Sequence, residues 1–221
     1  MSDVFREVDE DLRHDQLMGL WQRYGIYAIS IVLAIVLGVA GRAFWNSYTL
    51  DKQTAESTRY DQAVSLIASG DNVGALSIFD NISNDTSDGY GILSQFQSAS
   101  QHLENGDKTA ALAMYDALAN NGSVDDRLVG LAKLLGGVIA LDIETQEQAR
   151  ARLTPLAVYG ESWYFSAQEF LALLALRNGD KEEAISIYSL LTNDQTAPEG
   201  IRQRSAEILA VIENTSVGDV S

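Results

Sequence analysis

The feature that most constrains the fold of this 221-residue chain is a short pattern that recurs along its sequence. Each copy has Gly-Asp, an alanine five residues after the glycine and an aromatic residue nine after it. The three clear copies are separated by 36 and 73 residues and begin at Gly70, Gly106 and Gly179. The second gap is about twice the first, which predicts a degenerate copy midway. Residues 143–157 fit that position, with Ala149 as the small residue and Leu153 in the aromatic place.

A second set of small residues stands seven positions before each glycine, or before Glu144 in the degenerate copy. These residues are Ala63, Ala99, Gly137 and Ala172. The spacing resembles that of tetratricopeptide repeats, which are antiparallel helix pairs of about 34 residues. Small residues at a crossing let two helices approach closely, a glycine permits the sharp turn, and the following aspartate caps the second helix. The pattern predicts an all-α solenoid of about four helix pairs plus a capping helix, over residues 46–213.

Periodicity and turn signals together predict nine helices. Their ranges are 46 or earlier to 68, 73–82, 90–104, 108–119, 124–141, 146–158, 162–177, 181–191 and 197–212. Pro198 lies in the first turn of the last helix, where its missing N–H costs nothing. That helix would shield the open end of the repeat stack. Residues 214–221 are too polar to pack, and we predict that they are disordered.

Residues 25–41 are the only part of the sequence with the character of a membrane span, because they contain no charge. With its flanks, a helix over 24–45 has about 20 residues, enough to cross a ~30 Å hydrocarbon core. A cleaved signal peptide is the alternative, but the preceding tail is long and acidic rather than short and basic. We therefore predict a single transmembrane helix in a lipid bilayer. Ser30, Ala34 and Gly38 line one face of it with small side chains, where a partner helix could pack closely.

The tail before the span, residues 1–23, is acidic and has apolar residues at helical spacings of three and four. This pattern predicts an amphipathic helix, with disorder of its first residues as the alternative. An acidic helix favours a basic protein surface over anionic lipid. Basic residues do not orient the span, because three lie within a similar distance on each side.

Charge and composition argue against several classes of function. Four basic and six acidic residues precede Asn46, which leaves 11 Lys and Arg against 25 Asp and Glu, a net charge of −14. Nucleic-acid binding requires clustered basic residues, so no nucleic-acid partner is expected. The chain has no cysteine and only two histidines, which removes thiolate ligands and histidine-rich metal sites. We predict no catalytic residues, no metal, no cofactor and no enzyme activity.

The first helix of the last repeat is unusually aromatic. Trp163, Tyr164 and Phe165 occur in succession beside Tyr159, and helical geometry allows only some of them to face the core. Exposed aromatic residues often anchor binding patches, because they bury a large area at low entropic cost. We therefore predict that Trp163, Tyr164 and Phe165 bind protein. The alternative is that they belong to the core, and for Trp163 a plug against the degenerate repeat is the stronger interpretation.

The order of parts and several segments resemble one known family. The matching segments are LMGLWQRYG (17–25), AFWNSYTLD (43–51), YGILSQFQSASQHLENGD (90–107) and GESWYFSAQEFLALLALRNGD (160–180). An acidic tail, one span and helical repeats in this order resemble the ancillary SecYEG translocon subunit family, which is YfgM-like. The resemblance covers nearly the whole chain. The chain departs from the family in its longer acidic tail and its extra C-terminal residues.

This resemblance implies a bacterial inner-membrane protein with a cytoplasmic N-terminus and a periplasmic repeat domain. The implied partners are the SecYEG translocon and a membrane-anchored periplasmic chaperone of the prolyl-isomerase type, with unfolded polypeptides as further candidates. The implied function is a scaffold that links emerging polypeptides to periplasmic chaperones.

Two other hypotheses stay open. One is an envelope scaffold for cell-division or peptidoglycan-synthesis proteins, which would use the same repeat surface. The other is an adaptor of inverted topology whose repeats face the cytoplasm. A reporter fused to the C-terminus separates the topologies, and crosslinking from the span separates the partners.

Overall fold

The computed structural model describes residues 3–85 and 89–218, with the side chains of 26, 27, 30, 31, 33–85, 89–212 and 214. These residues form α-helices and one short 3-10 helix, Thr154–Leu156, and contain no strand. The α-helices are α1 (Asp3–Ser69), α2 (Asn72–Asp85), α3 (Gly89–Glu104), α4 (Lys108–Ala119), α5 (Asp126–Ile143), α6 (Gln146–Leu153), α7 (Tyr164–Arg177), α8 (Lys181–Asn193) and α9 (Glu199–Gly218). The prediction of an all-α, repeat-containing chain is confirmed.

The chain divides into two compact units, residues 1–55 and residues 56–221. The predicted tail, residues 1–23, and part of the predicted span, 24–45, lie outside the residues whose side chains are described. Within the described part of the chain, we find no helix with both the length and the apolar character that crossing a membrane requires.

The second unit is a stack of helix pairs, which we number as repeats 1 to 4. Repeat 1 joins the end of α1 to α2, and repeats 2, 3 and 4 are α3–α4, α5–α6 and α7–α8, with α9 packed on α8. The predicted small residues all lie at the buried helix crossings. These residues are Ala63, Ala75, Ala99, Ala111, Gly137, Ala149, Ala172 and Ala184. The predicted large residues fill the core beside them, and they are Phe79, Tyr115, Leu153 and Tyr188.

The turn inside repeats 1, 2 and 4 is built by the Gly-Asp pair. Gly70 has φ of 86°, Gly106 of 83° and Gly179 of 81°, a region that only glycine enters without strain. In repeat 4, the N–H of Gly179 bonds to the carbonyl of Leu176, and the N–H of Asp180 bonds to that of Ala175. This pair of hydrogen bonds closes the end of α7 as a Schellman motif.

The aspartate of the pair also starts the next helix. The side chain of Asp107 accepts a hydrogen bond from the N–H of Ala110, and the side chain of Asp180 accepts one from the N–H of Glu183. Asp71 accepts in the same way from Gly74. In repeats 1, 2 and 4, one residue therefore ends the first helix with its backbone and begins the second with its carboxylate.

Repeat 3 reaches the same fold with different residues. Thr145 and Gln148 form a capping box in which each side chain bonds the other's backbone N–H. A methyl group on Gly137 would lie 2.6 Å from Cδ2 of Leu153. In repeat 3, Leu153 therefore occupies the aromatic position, and the glycine at position 137 of the facing helix leaves room for it.

Two helix ends differ from the sequence prediction by five residues or more. The sixth helix ends at Leu153 and not at residue 158, because Pro155 has no N–H for an α-helical hydrogen bond and lies in the 3-10 helix that follows. The last helix continues to Gly218, beyond the predicted end at residue 212. Residues 219–221 of the predicted disordered tail, 214–221, lie outside the described residues.

Candidate functional site

The predicted aromatic site does not form one exposed patch. Trp163 is half-buried, and its indole Nε1 donates a hydrogen bond of 3.0 Å to the carbonyl of Arg127. Its ring lies over Gly130, where an added Cβ would come within 2.6 Å of Cδ1 of the indole. Trp163 therefore packs repeat 4 against α5, which agrees with the structural alternative that the sequence offered for it.

Tyr164, one of the three residues predicted to bind protein, is buried, with only 8% of it accessible. The early end of α6 lets the following segment fold over the start of α7, so that Tyr159 packs edge-on against Tyr164 at 5.5 Å between ring centroids. Phe165 lies on its other side at 4.9 Å and is half-buried against the core of α7, α8 and α9. The exposed member of this aromatic group is Tyr159, at 73%.

The predicted contact face of the span lies on α1. Ser30, Ala34 and Gly38 recur every four residues and are exposed. The hydroxyl of Ser30 donates to the carbonyl of Ile26 at 2.8 Å, one turn earlier. A Cβ added to Gly38 would meet no atom within 4 Å. These residues share one helix face, as the spacing predicted.

Sequence reasoning missed a groove between the first helix of repeat 4 and the final helix, which we call the α7–α9 groove. It has a volume of about 340 Å³, and its lining residues are Glu169, Phe170, Leu173, Tyr188, Arg204 and Ile208. The guanidinium of Arg204 binds Glu169 with two hydrogen bonds of 2.8 Å. The sequence did contain a signal for this groove. Glu169 and Arg204 are 35 residues apart, about one repeat, and residues at that separation can face each other across neighbouring helix pairs.

A second depression of about 540 Å³ lies along α6 and the 3-10 helix. Its lining is largely apolar and includes Ala151, Pro155 and Val158. Arg150 stands at its edge and makes two hydrogen bonds to Glu183, of 2.6 and 2.7 Å. The exposed Tyr159 is adjacent in sequence to Val158 and adds to the exposed apolar area of this surface.

Ion pairs join neighbouring repeats at a regular sequence separation of 33 to 36 residues. The pairs are Asp116–Arg152, Arg150–Glu183, Lys108–Asp142, Asp142–Arg177 and Glu169–Arg204. Among the arginines of these pairs, Arg152 has the most buried side chain, and it also binds Glu144 with two hydrogen bonds of 2.7 Å. Ion pairs of this separation therefore link repeat 2 to repeat 3, repeat 3 to repeat 4, and repeat 4 to α9.

Two of these carboxylates, those of Asp142 and Glu183, have a lowered pKa. Hydrogen bonds from Lys108 and then Arg177 hold the pKa of Asp142 below its usual value. The guanidinium of Arg150 does the same for the pKa of Glu183. Within the described residues, no group of three or more histidine, aspartate or glutamate side chains could hold a metal ion.

Comparison with known proteins identifies the fold family. The profile described as "Tetratricopeptide repeat-like domain" matches residues 19–207. The chain belongs to this tetratricopeptide repeat-like family. No curated protein matches the chain. A crystal structure of MamA is similar over 72% of this chain and 96% of the MamA chain, with 13% sequence identity and a TM-score of 0.48.

The tetratricopeptide repeat-like unit suits protein–protein interaction. Stacked repeats present extended surfaces made by successive helix pairs, and such surfaces recognise ligands by shape and charge. In this tetratricopeptide repeat-like chain, the α7–α9 groove is where apolar side chains and hydrogen-bonding groups come together.

Proposed function

We propose that this protein is a membrane-anchored scaffold that associates with the Sec translocon and links emerging polypeptides to periplasmic chaperones, acting by binding and not by catalysis. One observation carries the proposal. The family match begins at residue 19, so the uncharged stretch 25–41 lies inside the matched region and precedes the repeats. A repeat domain on such a segment has the parts of a tethered docking surface.

The proposed location is the bacterial inner membrane, with the N-terminus in the cytoplasm and the repeats in the periplasm. The sequence resemblance supports this orientation, and long domains are translocated largely regardless of flanking charge. The proposed partners are the SecYEG translocon and a membrane-anchored chaperone of the prolyl-isomerase type. The net charge of −14 after residue 45 supports the absence of nucleic acid from this set.

The first experiment tests both the membrane topology of the protein and the identity of the proteins next to its span. A C-terminal alkaline phosphatase fusion should be active, and a photo-crosslinking residue at position 34 should capture a translocon subunit or the chaperone. An inactive fusion would overturn the orientation. Capture of cell-division or peptidoglycan-synthesis proteins in place of the translocon would favour the envelope-scaffold hypothesis.

A second experiment tests the small-residue face. Ala34→Leu and Gly38→Ile place bulk where a partner helix would approach, so we expect co-purification of the translocon or chaperone to fall. Val36→Leu adds bulk on the opposite side of the same helix and serves as the matched control. Equal co-purification by all these variants would show that this face makes no contact.

A further inference from the structure

The sequence contains three Asn-Gly pairs, which begin at Asn105, Asn121 and Asn178. Such a pair is a reactive setting for the loss of the asparagine side-chain amide, because glycine has no Cβ to shield its backbone nitrogen. That nitrogen can attack Cγ of the asparagine and close a five-membered ring. The side chains of the three pairs are identical, so a difference in their reactivity comes from the backbone around them.

Two of the pairs lie in the turns inside repeats, where the backbone opposes this reaction. The N–H of Gly106 bonds to the carbonyl of Leu103 at 3.0 Å. The N–H of Gly179 bonds to the carbonyl of Leu176 at the same distance. Asn178 has ψ of −5°, whereas the ring requires Cβ and the next nitrogen on the same side of the Cα–C bond. Reaction at either pair would therefore break the hydrogen bonds that end the first helix of the repeat.

The third pair lies in the turn between repeats 2 and 3 and lacks this protection. Within the part of the chain that the structure describes, the backbone N–H of Gly122 makes no hydrogen bond. Gly122 and Ser123 are exposed, so water reaches the turn. The side-chain Oδ1 of Asn121 accepts a hydrogen bond of 3.0 Å from the N–H of Ser123, which folds the side chain back along the turn. This hydrogen bond also polarises the side-chain carbonyl, which favours attack on Cγ.

We propose that Asn121 is a site of spontaneous deamidation, and that its isoaspartyl product loosens the junction between repeats 2 and 3. The nitrogen of Gly122 loses its proton to solvent and bonds to Cγ of Asn121. The Cγ–Nδ2 bond breaks, and Nδ2 takes up a proton from solvent and leaves as ammonia. Water then opens the succinimide ring. Its addition at Cγ gives aspartate, and its addition at the main-chain carbonyl carbon gives isoaspartate, in which the main chain runs through Cβ and Cγ.

The isoaspartyl form adds an atom to the main chain just before a buried residue. The N–H of Val124 bonds to the main-chain carbonyl of Asn121 at 3.1 Å, and that carbonyl becomes a free carboxylate in the isoaspartyl form. Val124 is 6% exposed and packs in the apolar core that α3, α4 and α5 share. Asp125 follows and caps α5 by accepting a hydrogen bond from the N–H of Arg127. The longer main chain therefore displaces the Val124 side chain or the cap, and either change lowers stability.

The test follows the three asparagines in one sample. The full chain in detergent micelles is incubated for several weeks in mildly alkaline buffer at physiological temperature and is then digested. Trypsin cleaves after lysine and arginine and places the three asparagines on different peptides. Mass spectrometry should find deamidation on the Asn121 peptide, as a mixture of aspartate and isoaspartate. No deamidation at Asn121, or equal deamidation at Asn105 or Asn178, would overturn the proposal.

A second sample is unfolded in guanidinium chloride before the incubation. All three pairs should then react at similar rates, because the hydrogen bonds that protect two of them are lost. If Asn121 remained the only reactive asparagine after unfolding, its reactivity would not come from the fold, and the structural reasoning would be wrong.

Gly122→Ala is the matched variant. A Cβ at this position would meet no atom within 4 Å, so the fold should persist, while the methyl group hinders attack by the nitrogen. Deamidation at Asn121 should slow severalfold, and an unchanged rate would exclude this nitrogen as the nucleophile.

Thermal unfolding followed by circular dichroism tests the effect on the junction. The incubated unmodified chain should melt at a lower temperature than the fresh chain, in proportion to its isoaspartate content. Fresh Asn121→Asp carries the new charge without the longer main chain and should melt like the fresh unmodified chain. Incubated Gly122→Ala should lose much less than the incubated unmodified chain. Equal melting of the incubated and fresh unmodified chains, despite isoaspartate at position 121, would show that the junction is not loosened.

Discussion

Gly137→Ala should destabilise the protein, whereas Gly136→Ala should stabilise it. Both glycines are buried in neighbouring positions of α5. A Cβ on Gly137 would lie 2.6 Å from Cδ2 and 3.0 Å from Cγ of Leu153, which is fully buried. A Cβ on Gly136 would meet Cδ1 of Leu112 at 3.4 Å, an ordinary contact.

The size of the effect follows from these contacts. Each substitution gains about 0.5–1 kcal/mol of helix propensity, because alanine loses less backbone entropy than glycine. Overpacking at Gly137 costs about 1–3 kcal/mol, since Leu153 can move only into packed neighbours. The propensity gain is common to both variants, so the difference between their free energies of unfolding isolates the steric cost at about 1–3 kcal/mol.

The assay is urea unfolding of both variants, followed by circular dichroism at the same protein concentration. For a domain of this size, the difference corresponds to about 2–12 °C in melting temperature. The double variant Gly137→Ala with Leu153→Ala should cost less than the sum of the single changes, with a coupling of about 0.5–3 kcal/mol. Equal free energies of unfolding for Gly136→Ala and Gly137→Ala would refute the reasoning.

Three further predictions concern the turns and the ion pairs. Asp107→Ala removes the N-cap of α4 and should lower the free energy of unfolding by about 1 kcal/mol in urea titrations. Gly106→Ala forces a side chain into φ of 83° and should cost about 1–2 kcal/mol, whereas Gly106→Asn should cost less. The pKa of Glu183 is lowered in the folded state by Arg150, so its contribution is present at neutral pH and is lost as the pH falls below about 4.5. Arg150→Gln should therefore flatten the acid side of the stability profile, and an unchanged profile would show that the pair contributes nothing.

The sequence was sufficient for the repeat architecture because the constraints of a helix crossing act on single residues. Ala63 and Ala75 have no exposed surface, and Phe79 fills the space beside them, as their spacing predicted. Gly70 enters the left-handed region because a turn this short demands it. Each repeat imposes the same local requirements on its residues. The pattern therefore recurs along the chain and can be recognised from a single sequence.

The candidate binding residues were harder to predict because their exposure depends on contacts between separate elements. A single proline, Pro155, ends α6 early, and the segment that follows brings Tyr159 over Tyr164. The helical pattern of α7 contains no sign of this cover. The α7–α9 groove likewise depends on where α9 packs, which places Arg204 beside Glu169 although the two are 35 residues apart.

Each turn aspartate acts at the ends of two helices, and this double use limits where residues can be inserted into the chain. Asp180 closes the end of α7 through its backbone and begins α8 through its carboxylate, so an inserted residue would separate two functions that one residue now performs. The exposed segment 158–162, between repeats 3 and 4, has no aspartate with this double use. Insertions, tags and grafted loops should therefore be tolerated better in that segment than within the repeats.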